Sequence, residues 1–525
     1  MLANAFWTGL ICCAFFLAAA LGAPAESLAQ SKKKTGGSAG GAPGMGGGAP
    51  GMGGGAPGMG GGAAGGMIGG GGMMGGGRGG AKGQLGKKQA KVRESKAGEA
   101  EIDPEALPPG YHVPPEAPEA LTTSDEWIEE PFGDPTAAAN KRKMLAKYTT
   151  IRQAGDFVNN DDKELVRKVI VWKLSELTRK ENREKAWKLR GEILTDIKTS
   201  PSNKNSPHVV RKFMLDTIAS EAPKLFQYHV VARLHGAILL AELSDPLYNE
   251  EEPSGRNPGK PCVRAADPLM KMAKDGSQLP AVRVWGVNGL VRLAILPEIS
   301  NQLRNQIIET LVELMTSSGK EKEHLWYQWR LAEGLGKMTV IQNQDKRPIV
   351  PQALAQVLAD VDRPWLVRAE AAQSLGRLPY DRGDIDLGLV AYQTAKLTQQ
   401  MTDAFNKDPK PAGWKLCFMK LYGAFKPLDD DDAKLKRGLL TQVEKGALST
   451  YKRTVQEAFD LVLPLVAKVL NSPEGIDVPL ANLKKWLDQN PPKSLKIHPE
   501  EDPIISTKRK TGAAVESEPP VAAGR

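Results

Sequence analysis

Beyond residue 160 the apolar positions recur every three to four residues, the spacing of helices that bury one face. Leu165, Val169, Trp172 and Leu177, with Ile170 and Leu174, form one wide stripe, and Asp161 or Asp162 stands where an N-cap is needed. Ser206-Pro207 reads as the opening of the next helix, because proline in a first turn loses no hydrogen bond. Pro464 falls inside the apolar run Leu461–Leu470 and is expected to kink or divide that helix. Long alternating strand patterns are absent, so the pattern predicts an all-α body over 136–490.

Within that body a segment repeats. VARLHGAILLAEL from Val231, VRVWGVNGLVRLA from Val282, YQWRLAEGLGKM from Tyr327 and VRAEAAQSLGRL from Val367 superimpose without gaps. Anchored on Arg233, Arg283, Gln328 and Arg368, the copies are 50, 45 and 40 residues apart. Three positions after each anchor stand Gly236, Gly286, Leu331 and Ala371; seven positions after stand Leu240, Leu290, Leu335 and Leu375. Those two positions share a helix face, mostly small then large, which lets a neighbouring helix approach closely at one end. Units of this length cannot hide their apolar face alone and are expected to stack.

The run Asp362-Arg363-Pro364-Trp365-Leu366-Val367-Arg368-Ala369-Glu370-Ala371 resembles the turn and second helix of a HEAT repeat, and Val350–Leu358 resembles that repeat's first helix. Leu279 to Arg283 is similar to the same turn, with Asp275 displaced to eight residues before the arginine. The resemblance, to HEAT/armadillo-like proteins, covers about 220–380 and implies an α-solenoid, an α–α superhelix; the composition ahead of it reads as a disordered glycine-rich region. The resemblance also implies that Arg233, Arg283 and Arg368 bond to neighbouring repeats.

The chain ahead of this body has another character. Leu10 to Leu21 is a run of twelve apolar residues, short for a membrane-spanning helix, and small residues follow at Ala23, Ala25 and Ala29. Residues 1–29 therefore read as a signal peptide, cleaved after Ala25 or Ala29, or as an uncleaved anchor formed by residues 7–23. The n-region lacks Lys and Arg, which departs from the usual pattern. Residues 30–98 carry the unit GMGGGAP from Gly44, Gly51 and, decaying, Gly58. Such a tract loses more entropy on ordering than its methionines return, and about 50 residues of it would span on the order of 40 Å. The methionines offer thioethers to Cu(I), but the seven-residue spacing looks like slippage of a low-complexity unit. Residues 99–135 read as an acidic, proline-rich extended linker, with Trp127, Ile128 and Phe132 as a strap onto the body. Residues 491–525 read as a disordered tail.

Charge changes the picture in blocks. Residues 31–98 hold ten Lys/Arg against Glu94, whereas 99–135 hold eleven acids and no Lys/Arg. Blocks of opposite sign can pair with each other, which weakens a nucleic-acid reading of the net +9. Beyond the leader only Cys262 and Cys417 remain, either one long-range disulfide or two buried thiols. The six histidines form no metal motif, and Asp429–Asp432 lacks the glycine and distal glutamate of a calcium loop. No catalytic, cofactor or metal set is assigned. Trp326, Trp329 and Trp365, near helix starts in adjacent repeats, are the candidate partner-binding residues.

The expected function is a non-enzymatic protein–protein interaction scaffold, exported to the cell envelope, periplasm or exterior. The alternative is a binder of anionic polymer or membrane surface through the basic arm and body, including Lys141–Lys147 and Arg179–Arg190. Specific nucleic-acid recognition is not expected.

Overall fold

The computed structural model describes residues 126–127, 138–201, 208–245, 260–318, 325–380, 384–411, 413–428, 430–471 and 474–504. The leader, the glycine-rich arm, most of the acidic linker and Ser206-Pro207 lie outside the described residues, as does the chain after 504. Helix dominates what is described; the strands β1 (Ser244–Asp245) and β2 (Lys260–Pro261) form one short antiparallel pair. This is compatible with a helical repeat fold.

In chain order come α1 (Ala138–Ala154), α2 (Asn160–Ser175), α3 (Ala186–Lys198), α4 (Val209–Glu221), α5 (Val230–Glu242) and α6 (Ala266–Lys274). Next are α7 (Pro280–Ala294), α8 (Asn301–Ser317), α9 (Leu325–Leu335), α10 (Ile349–Ala359), α11 (Trp365–Arg377) and α12 (Leu387–Lys407). α13 (Gly413–Phe425), the single turns α14 (Asp430–Lys434) and α15 (Leu439–Gln442), α16 (Lys452–Asn471) and α17 (Asp477–Gln489) complete the set. Packing sorts them into two rows. α3, α5, α7, α9, α11, α13 and α16 each pack on the next. Alongside, α6, α8, α10, α12 and α17 do the same, while α6 pairs with α7, α8 with α9 and α10 with α11. The core lies between the rows, and the four sequence copies are α5, α7, α9 and α11, consecutive in one row.

Three local expectations change. The α2 N-cap is Asn159, whose side chain accepts the Asp162 N–H at 3.0 Å. Asp162 instead sits buried in the first turn, accepting the Val158 N–H and pairing with Lys147 at 2.8 Å. α16 runs through Pro464 undivided, because Pro464 and Asp460, whose carbonyl loses its donor, are both exposed to solvent. Residues 491–504 are not loose: Ile497 and Ile504 are buried, the Asp386 N–H donates to the Ile497 carbonyl at 2.9 Å, and Arg347 forks onto Glu501 at 2.9 and 3.0 Å. Gln352 adds a bond to the Asp502 carbonyl at 2.9 Å, so this segment ties the end of the chain to α10 and α12.

At the other end Trp127 is buried, as a strap residue should be. Its N–H donates to Thr178 Oγ1 at 2.8 Å, its ring stacks on Tyr228 at 6.5 Å, and Lys224 Nζ lies 5.0 Å from the ring centre. Ile128 and Phe132 lie outside the described residues. Cys262 and Cys417 are free thiols.

Candidate partner-binding site

The anchor arginines are spent on backbone. Arg283 Nε donates to the Ala273 carbonyl and Arg368 Nε to the Leu358 carbonyl, each at 3.0 Å and each ten residues back. Both carbonyls belong to the last turn of the preceding helix, where orphan acceptors and the dipole favour a cation. Arg283 also reaches Tyr327 Oη on α9 at 3.0 Å, and Arg368 reaches Gln400 Oε1 on α12 at 2.7 Å, which links neighbouring units. Burial pushes Arg368 down to about 10, with Asp360 opposing. Arg233 departs from the pattern: it bonds the Tyr228 carbonyl and reaches Gln278 Oε1 at 3.5 Å. Gln328, in the fourth anchor position, accepts from Arg363 at 3.0 Å, and Arg363 caps the Met315 carbonyl of α8 at 2.9 Å.

The structure also shows two residues that the spacing misassigned or missed. The turn aspartates are Asp275 and Asp360, each eight residues before its arginine, rather than Asp362. Each accepts a backbone N–H two residues on, from Ser277 at 2.9 Å and from Asp362 at 3.0 Å. Arg304, outside the repeat alignment, donates from Nε to the Ala294 carbonyl at 3.2 Å, again ten residues back.

The small positions lie at close approaches. A Cβ on Gly236 would meet Leu225 at 3.0 Å, and one on Gly286 would meet Met272 at 3.0 Å and the Leu269 carbonyl at 3.2 Å. Ala371 and the large residues Leu240, Leu290, Leu335 and Leu375 are all buried.

The three tryptophans do not form one patch. Trp326 and Trp329 pair on α9 with ring centres 4.9 Å apart, whereas Trp365 on α11 turns to Trp414 of α13 at 6.3 Å. Trp329 is buried, and its indole N–H donates to Glu370 on α11. Glu370, fully buried, also binds Lys420 of α13, which donates to Gln373 Oε1 at 3.0 Å. Trp329, Glu370 and Lys420 therefore form a polar seam across three successive helices, unavailable to a partner without rearrangement. Trp326 and Trp365 keep part of their surface in solvent.

More aromatic and aliphatic surface stands on the same row nearby. Val231 and Leu234 on α5, Val284 and Trp285 on α7 and Trp326 on α9 are half-buried side chains resting on the core edge. Arg330 and Glu333 follow Trp326 along α9, and Lys337 stands in the turn after it. Burial would raise the Glu333 carboxyl, but Arg330 and Lys337 at 2.8 Å or less outweigh it and hold the group at about 2. Glu333 is thus an anion with its charge already used.

No group of three or more potential metal ligands occurs among the described residues, and no helix among them is long and apolar enough to cross a membrane. No family model, curated protein or solved structure matches this chain.

Proposed function

We propose that the two helix rows are an α-solenoid of the HEAT type and that the protein is a non-enzymatic scaffold which holds another protein on the α5–α7–α9 row. The observation that carries this reading is the run of half-buried Val231, Leu234, Val284, Trp285 and Trp326 on three successive helices of one row. Partly exposed tryptophans at a packed edge are what protein partners most often use as anchors. In the same reading the leader exports the chain and the glycine-rich arm tethers the body to an anchor or wall. The exposed Arg142 and Lys143 on α1 favour a second reading, attachment to an anionic polymer or lipid surface.

The test is capture from cell-envelope extract by the full chain and by its Trp285→Ala/Trp326→Ala variant, at low and high salt. One stoichiometric protein held at high salt by the parent and lost by the variant supports the scaffold. Retention of only nucleic acid, polysaccharide or lipid, released by salt, overturns it in favour of the second reading.

A further inference from the structure

Among the described residues both helix rows end at α16 and α17. An inner member of the α3-to-α16 row packs on a row neighbour at either side, whereas α16 follows α13 and α17 follows α12 with no later helix beyond them. Val455, Phe459, Val462, Val466 and Val469 turn α16 inward. On its opposite face Asp460, Leu463, Pro464, Ala467 and Asn471 recur at helical spacing and are exposed. Two bonds fix how α17 lies beside it: Trp486 Nε1 donates to Glu457 at 3.2 Å, and Lys468 Nζ to the Glu474 carbonyl at 2.6 Å. Numbers rise along one helix as they fall along the other, so the pair is antiparallel and Val478 stands level with Pro464. Val478 is 69% exposed and Leu463 38%. Leu463, Pro464, Ala467 and Val478 thus form an apolar end face across two helices. Stacked helical arrays need a polar outer face at their ends to stay soluble. The first described helix, α1, has one, with Asn140, Arg142, Lys143, Thr150 and Gln153 exposed; the α16–α17 end does not.

A second copy of the chain suits this face on three counts. Its charges are of both signs, Asp460, Glu474 and Asp477 with Lys468 and Lys485, so the face answers itself where a one-signed face would repel its own copy. Pro464 and Ala467 put no long side chain between facing helices, which lets them approach closely. Its size also suffices. α16 has 20 residues and is about 30 Å long, and two helices side by side span about 20 Å. Contact between two copies therefore covers about 600 Å² on each and about 1,200 Å² in all, the lower limit of specific interfaces. Head-to-tail contact with α3, which opens the row, is less well matched. There the one large exposed apolar side chain, Trp187, stands among the exposed Lys188, Glu192 and Lys198. A face that matches itself closes at two copies.

We infer that the α16–α17 end is a self-association face, through which two copies of the chain join end to end about a twofold axis. Leu463 and Pro464 of one copy lie against Ala467 and Val478 of the other. The pair extends both helix rows across the junction and presents the α5–α7–α9 row twice. This assignment is independent of what that row holds.

Sedimentation equilibrium of the full chain tests it, against the full-length variant Leu463→Glu/Val478→Glu. At roughly 100 μM, well above a Kd of about 1 μM, the parent is expected at twice the monomer mass. The variant is expected at the monomer mass with unchanged helical circular dichroism, because both side chains are exposed. Val158→Glu, a change at a 92% exposed residue ahead of α2, is expected to leave the dimer intact. Should the double variant lose helix, Ala467→Arg replaces it, since that change only lengthens an exposed methyl into the proposed contact. A parent that stays monomeric at this concentration overturns the inference. So does a dimer that the end-face variants leave as tight as the parent's, which places the contact elsewhere on the chain, and so do assemblies that grow beyond two copies, which rule out the twofold face.

Discussion

Gly376 near the C-terminal end of α11 is the sharpest test of the packing between α11 and α13. A Cβ added there would run into the Ala424 carbonyl oxygen, with the Ala424 C and Cα at 2.8 and 2.9 Å. These are backbone atoms of a neighbouring helix, so no side-chain rotation relieves the clash. The Gly376 carbonyl also accepts the Gly438 N–H at 2.7 Å and Gln442 Nε2 at 2.8 Å, so moving α11 away from α13 disturbs its bonds to the turn before α15 and to α15 itself. Alanine for glycine inside a helix gains about 1 kcal/mol of propensity. Overpacking costs about 1–3 kcal/mol, and each stretched hydrogen bond about 1 kcal/mol more. The clash wins, and Gly376→Ala is expected to lose about 2 kcal/mol. Gly191→Ala on α3, where the methyl meets open space, is expected to gain about 0.5–1 kcal/mol. Urea unfolding followed by helical circular dichroism compares the two variants with the parent. With a slope near 3 kcal/mol per molar, the Gly376→Ala midpoint drops by about 0.7 M. Should Gly376→Ala unfold with the parent or above it, as Gly191→Ala does, the close approach of α11 and α13 is not there.

Three further outcomes follow from buried polar groups. Glu370→Gln strands Lys420 inside the seam and is expected to cost about 3 kcal/mol, of which the double variant Glu370→Gln/Lys420→Met recovers a measurable part in a denaturation cycle. Burial, with Arg190 Nη1 3.2 Å away, pushes His235 down to about 4 from the usual 6.5. A depressed folded value means stability fully present above pH 6.5 and lost as the pH falls through 4. His235→Gln should therefore flatten the stability profile over that window, by about 3 kcal/mol in all. Burial raises both thiols, Cys417 up to about 12, and Cys417 is fully covered whereas Cys262 is partly exposed. A disulfide reagent is expected to modify Cys262 in the native chain and to reach Cys417 only on unfolding, which mass spectrometry of the labelled peptides decides.

The helical class and the equivalence of α5, α7, α9 and α11 were legible because both rest on spacing along one helix, and spacing is what a sequence records. The arginine anchors were legible for the same reason, although their actual bonds depend on which carbonyl the previous helix leaves unpaired. Distance to Val367 in the HEAT-like pattern points to Asp362, whereas the structure matches Asp360 to Asp275 by their shared turn. Trp329 could not be told from Trp326 by sequence, since its burial depends on Glu370 and Lys420, 41 and 91 residues away. The segment 491–504 shows the same limit from the other side. Its composition is polar, yet Ile497 and Ile504 are buried and Glu501 is held by Arg347, 154 residues earlier. A polar stretch orders when its few apolar residues meet a prepared surface, and periodicity within the stretch carries no trace of that surface.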